Sequence, residues 1–193
     1  SSLTAFETCP RRYKLTRITK EVVEPPYDHR AHGNDLHKAV ELAVKGEEPM
    51  PVKYKQYIPI VEMVRATEGA KHVEQKFGIT SSFASTTFFG KDVWLRGVID
   101  LNVIRKKIAI TLDWKTGKVK NDNDQLKLFA AATFTMYPFV QTVHTGYAWL
   151  AHGQMTTEKF ERADLPHIWQ EFIPRVRRVD AAAQSGEYPP RPS

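Results

Sequence analysis

Between residues 72 and 113 the hydropathy repeat changes from a helical period to a period of two, and this switch constrains the fold more than any other feature. Alternation places successive side chains on opposite sides of a strand. The stretches 72–80, 82–89, 94–103 and 108–113 alternate in this way and are rich in β-branched and aromatic residues. Gly90-Lys91-Asp92 and Arg105-Lys106-Lys107 supply turns, so the block predicts an antiparallel meander. Ahead of it the apolar positions recur at helical spacing: Leu3, Phe6, Tyr13 and Leu15, then Leu36, Ala39, Val40 and Ala43 within 34–45. A third helix is expected over 54–67, kinked or delayed by Pro59. Beyond the meander, the pattern predicts a helix over 123–136, strands over 140–151 and 154–162, and a helix over 165–185 kinked at Pro174. This order predicts a single α/β domain over 1–193, with a helical part at 1–70 and a sheet core at 71–193. The core is expected to be a central mixed β-sheet flanked by helices.

Composition excludes several classes. With 41% hydrophobic and 26% charged residues, the chain has ordinary globular usage, not that of a disordered or collagen-like protein. The longest apolar stretch, 129–140, is interrupted by Thr133, Thr135 and Pro138, and falls short of the ~20 residues a membrane helix needs. No segment reads as a secretory leader, and the lone Cys9 has no internal disulfide partner, so a reducing cytoplasm is the expected setting. Lys and Arg number 28 against 22 Asp and Glu, a net charge of +6 that suits a polyanion such as nucleic acid.

The chemistry is concentrated on two strands. Asp113-Trp114-Lys115 ends an apolar strand, with Asp113 and Lys115 on one face and Trp114 on the other. Taken alone, such a triplet is most often a surface ion pair worth ~0–1 kcal/mol. Gly97-Val98-Ile99-Asp100 lies on the preceding strand, and the turn at 105–107 brings Asp100 opposite Asp113. Like charges facing each other on a sheet are destabilising. A divalent cation removes that conflict, and Mg²⁺ favours one or two carboxylates plus water and phosphate oxygens. A lysine beside it can stabilise charge on a phosphoryl group or orient a water. The alternative is one acid buried beside a lysine and the other at a turn. Gly117-Lys118 is no P-loop end, because Leu112 stands where its first glycine would be.

In this arrangement the chain resembles the PD-(D/E)xK nuclease superfamily, specifically its RecB-like exonuclease branch. Ser2-Leu3, Phe6, Cys9-Pro10 and Tyr13 resemble that branch's N-terminal helix, and Gly33-Asn34-Asp35-Leu36-His37 its G-x-x-x-H motif. Gly97-Val98-Ile99-Asp100 resembles G-x-I/V-D, Asp113-Trp114-Lys115-Thr116-Gly117 resembles D-Y/W-K-T-G, and Gln125-Leu126-Lys127-Leu128-Phe129 resembles the Q-L-x-x-Y helix. The resemblance implies a restriction-endonuclease-like core with DNA as substrate and Mg²⁺ or Mn²⁺ as cofactor. His37, Asp100, Asp113 and the backbone carbonyl of Trp114 would be metal ligands, Lys115 the catalytic lysine, and Gln125 a catalytic-site residue. Glu74, on the strand before the core, would reach the metal through water or pair with a basic side chain.

Two departures stand out. Phe129 occupies the tyrosine position, so the hydroxyl is absent or supplied elsewhere. Relatives with an iron–sulfur cluster use four cysteines, and with only Cys9 no such cluster is expected; Cys9 reads as a packed helix residue. Phosphate contacts are expected from Arg96 first, and from Arg11, Arg12, Lys118 and Lys120. Phe88, Phe89 and Trp94 are either core residues or a stacking surface for an unpaired base. No helicase segment occurs, so a recombination or helicase protein is a candidate partner, and a stand-alone domain fits a phage acting in the bacterial host cytoplasm. A metal-dependent DNA exonuclease leads the expectations, ahead of a structure- or site-selective endonuclease and of a non-catalytic nucleic-acid-binding module.

Overall fold

The computed structural model describes residues 2–23, 28–119 and 123–191, without the side chains of 28–32. Six strands, β1 (Ala70–Thr80), β2 (Ser85–Thr86), β3 (Val93–Arg105), β4 (Ile108–Lys115), β5 (Thr142–Trp149) and β6 (Gln154–Glu161), form one sheet in the order β2-β1-β3-β4-β5-β6. Neighbours are antiparallel except β4 and β5, which run parallel and are joined through helix α5 (Asp124–Met136). The sheet is therefore mixed and flanked by helices, as the order of elements predicts.

The expected strand over 82–89 is the exception, since only Ser85–Thr86 pairs. Phe83 takes a left-handed φ of 63° and its N–H donates to the Thr80 carbonyl at 3.0 Å. The Gly90 N–H likewise closes a turn on Thr87 at 2.9 Å. Turn geometry at both ends leaves room for only two paired residues, whatever the β propensity of Phe83, Phe88 and Phe89.

The chain folds as two compact units, Ser1–Tyr27 with Pro166–Ser193, and Asp28–Leu165. The first contains α1 (Ser2–Thr8), α2 (Pro10–Tyr13), a π-helical turn (Lys14–Ile18) and nearly all of α6 (Leu165–Ser185). Its ends are tied together by Glu7, whose carboxylate accepts two bonds from Arg175 at 2.8 and 2.7 Å, and by Tyr188, whose ring meets Phe6 edge-on. Cys9 is not the packed helix residue expected: it stands in extended conformation between α1 and α2, partly exposed. Main-chain groups of Arg191 and Arg12 near the sulfur hold its pKa below the ordinary thiol value.

The second unit holds the sheet with α3 (Asp28–Lys45), α4 (Ile58–Ala66) and α5. Pro59 delays α4 as predicted, sitting in its first turn behind a 3₁₀ segment at Val52–Tyr57. On one side of the sheet Leu36, Val40 and Val44 of α3 and Val61 and Val64 of α4 pack on Leu101, Val103, Leu112 and Trp114. Each such side chain contributes about 1.5–3 kcal/mol when fully buried. The other side, under α5, carries a buried polar chain. Asn102 donates to Gln75 at 2.9 Å and to Thr133 at 3.3 Å, and accepts from Thr111 at 3.2 Å. Among the described residues no helix is long and apolar enough to cross a membrane.

Candidate active site

Where β3 and β4 stop pairing, the acidic residues meet. The β3–β4 ladder ends at Leu101↔Leu112, so the next residues, Asp100 and Asp113, face each other beyond the last pair. The β1–β3 register runs through Val73↔Leu101 and Gln75↔Ile99, which sets Glu74 opposite Asp100 on the other flank. Instead of a further ladder bond, the Trp114 N–H donates to Asp100 Oδ2 at 2.8 Å. The carboxylate thus takes over a main-chain bond at the opening between the strands.

Asp113 is only 4% exposed. Gln125, in the first turn of α5, donates to Asp113 Oδ1 at 2.7 Å and accepts from Lys115 Nζ at 2.9 Å. Lys115 Nζ also lies 2.5 Å from Asp113 Oδ2 and 5.0 Å from the centroid of the Tyr147 ring. From α3, His37 Nδ1 comes within 3.5 Å of Asp100 Oδ2, and the imidazole also interacts with the Trp114 main chain. The structure therefore brings His37, Asp100, Asp113, Trp114, Lys115 and Gln125 into one cluster.

Electrostatics follow from burial. Desolvation, reinforced by the charge of Asp113, pushes Asp100 up to about 8. Burial also raises Asp113, against the pull of Lys115, and lowers His37, which favours the neutral imidazole that metals bind. Glu74 is half-buried in a left-handed conformation, with φ 53°, and is raised by burial and by Glu41. Two buried carboxylates side by side and an imidazole held toward its neutral form are a donor set that fits a divalent cation. Among the described residues no group of three His, Cys, Asp or Glu side chains stands close enough to hold a metal ion as arranged here.

The remaining candidates are distributed differently. Arg96 is exposed on β3, four residues before Asp100. Lys118 is exposed just beyond β4. Arg11 and Arg12 belong to α2, in the other compact unit, and Lys120 lies outside the described residues. Phe129 is buried and meets Phe77 edge-on at 6.3 Å, which accounts for an apolar ring at that position.

Two contacts escaped sequence reasoning. Tyr147 stands beside Lys115 because β5 pairs in parallel with β4, Asp113 opposite Tyr147, and no local spacing announces a pairing across a helix. Gly33 packs on Thr116: a Cβ there would come within 3.1 Å of the Thr116 hydroxyl oxygen. The two glycine-containing motifs that flank His37 and Lys115 therefore lock together.

No family model and no curated protein matches the chain. Among solved structures, a "putative exonuclease" from Eubacterium rectale aligns with a TM-score of 0.52 over 98% of this chain and 81% of that one, at 10% identity. SSO0001 aligns over 89% and 73% at 15% identity, with a TM-score of 0.43. At 10% identity what is shared with the Eubacterium rectale structure is the fold: an α/β domain with a mixed six-stranded sheet flanked by helices.

Proposed function

We propose that the protein is a divalent-metal-dependent deoxyribonuclease of the RecB-like branch of the PD-(D/E)xK superfamily, acting as an exonuclease. The observation that carries this reading is the Asp113–Lys115–Gln125 triangle set beside a second buried carboxylate, Asp100. Asp100 and Asp113 would hold the Mg²⁺ or Mn²⁺ with His37 and the Trp114 carbonyl, and Glu74 would act through water. When bound, the metal supplies Lewis-acid polarisation of the scissile phosphate and a water of lowered pKa. Gln125 fixes the Asp113 carboxylate and the Lys115 ammonium relative to each other, so neither must reorganise when substrate arrives. Lys115 then has its charge beside the position where negative charge grows on the phosphoryl oxygens.

Exonuclease over endonuclease rests on the motif resemblance and on the name of the Eubacterium rectale protein that shares the fold. A binding-only module would gain nothing from two buried acids facing a phosphate. The test uses linear, nicked and covalently closed circular DNA with Mn²⁺, Mg²⁺ or EDTA, for the wild type and Lys115→Ala. Loss of linear DNA alone, metal-dependent and reduced at least about a hundredfold in the variant, is expected. Cutting of closed circles would reassign the protein as an endonuclease, and no cleavage with any metal would overturn the enzymatic reading.

A further inference from the structure

Phe88 and Phe89 sit at the tip of the β2–β3 connection, and Phe89 is 77% exposed. Exposing an aromatic ring forgoes burial that a core position would supply, yet here the turn that displays it is braced. The Thr86 hydroxyl donates to Asp92 Oδ1 at 2.9 Å across the loop, and the Gly90 N–H closes on Thr87. Gly90 has no room for a side chain: a Cβ would lie 2.8 Å from the Thr86 hydroxyl oxygen and 2.9 Å from Asp92 Oδ1.

Cations surround the rings. The Arg96 guanidinium lies 5.3 Å from the Phe88 centroid and 5.6 Å from that of Phe89, while Lys76 Nζ stands 5.7 Å from Phe88. Both cationic residues are exposed. The rings meet edge to face at 4.8 Å, so partly buried Phe88 braces the exposed ring of Phe89.

The placement relative to the acids follows from the strands. Phe77 turns toward Phe129 of α5, and Gly97 opposes it with no Cβ because one would strike the Phe77 ring at 2.6 Å. Alternation then turns Lys76, Arg96 and Val98 to the opposite face, the one on which His37 of α3 reaches Asp100. Arg96 and Asp100 are four residues apart on β3, about 13 Å at roughly 3.3 Å per residue. That span is at most about four nucleotides at the B-form rise of about 3.4 Å per strand, and fewer on an extended strand.

We propose that Phe88, Phe89, Arg96 and Lys76 form a stacking platform for unpaired bases of the DNA strand being cut, with the two cations beside its phosphates. An exposed aromatic ring flanked by positive charge is a pattern that binds single strands without sequence preference, whereas a blunt duplex offers only the outer faces of its two terminal pairs to stack on. This assignment rests on the nuclease reading for its biological meaning, but its test does not require cleavage.

The experiment measures binding of a fluorescein-labelled oligothymidylate and of a blunt duplex of equal length, in EDTA, to the wild type and to Phe89→Ala, Phe89→Leu and Arg96→Ala. Thermal melting checks that the variants fold. Weakening of oligothymidylate binding at least about fivefold in Phe89→Ala, with less loss for the duplex, supports the platform. Phe89→Leu should resemble Phe89→Ala, because an aliphatic side chain does not stack, and Arg96→Ala should also reduce the salt dependence of binding. Unchanged binding in Phe89→Ala, equal loss for single strand and duplex, or no oligothymidylate binding by the wild type would each overturn it. If Phe89-dependent binding persists in a protein that cleaves nothing with Mn²⁺ or Mg²⁺, the nuclease reading fails and the platform stands.

Discussion

Asp100 shows how one residue couples the fold to the chemistry. Its carboxylate accepts the Trp114 N–H, faces Asp113 and His37, and is pushed from an ordinary 3.8 up to about 8, first by burial and then by Asp113. Below about pH 4 both folded and unfolded chains carry this proton, so the group contributes no pH dependence there. Between about 4 and 8 the folded protein retains a proton that the unfolded chain has released. Stability therefore falls as pH rises through this window and levels off above it. In EDTA, Asp100→Asn removes the titrating group while keeping an acceptor for Trp114. The variant should gain in melting temperature relative to the wild type between pH 5 and pH 8. A difference independent of pH would mean that Asp100 is ionised in the metal-free protein throughout this range.

At the level of elements, the buried chain Gln75–Asn102–Thr111–Thr133 pins β1, β3 and β4 beneath α5, one step inward from the acids. Asn102→Ala strips part-buried Gln75 of a donor and fully buried Thr111 of an acceptor. It should destabilise by about 1–3 kcal/mol, read as a lower urea midpoint. Thr133→Val removes two longer bonds, from Asn102 at 3.3 Å and with the Thr111 hydroxyl at 3.4 Å, while leaving the Asn102–Gln75 and Asn102–Thr111 bonds in place, and should cost less. Equal midpoints for wild type and Asn102→Ala would show that the polar chain does not hold the register.

Elements whose cause is local were legible in the sequence. The α6 bounds follow from helical spacing, the α4 start from Pro59, and the Asp100–Asp113 opposition from counting across the turn at 105–107. The acid pair and Lys115 were readable because hairpin register obeys short-range rules, whereas Gln125 stood out only through the motif resemblance. Residues 82–89 were not, since two turns overrode strand propensity. The Tyr147 contact and the Gly33–Thr116 packing depend on elements brought together from distant parts of the chain, which no periodicity encodes.

For the whole molecule, the net charge of +6 hides a local concentration of acids: Glu74, Asp100 and Asp113 lie abreast on β1, β3 and β4. Lys115 and Gln125 address Asp113, while Asp100 takes a main-chain N–H, stands beside an imidazole held toward its neutral form and feels the Lys115 charge less than it feels burial. Folding therefore brings together acids whose ionisation it penalises. A cation that binds only the folded state then stabilises it by mass action, about 2.7 kcal/mol at a concentration one hundred times its Kd. For a chain of this size that raises the melting temperature by several degrees, at roughly 2–4 °C per kcal/mol. Mn²⁺ should therefore stabilise the wild type at pH 8 beyond NaCl of equal ionic strength, and EDTA should reverse the gain. Asp113→Asn should lose most of this response even if it melts higher without metal, since the substitution relieves repulsion while removing a proposed ligand. A Mn²⁺ shift of equal size in both proteins would place cation binding elsewhere, because general screening of a basic protein cannot distinguish a buried carboxylate from its amide.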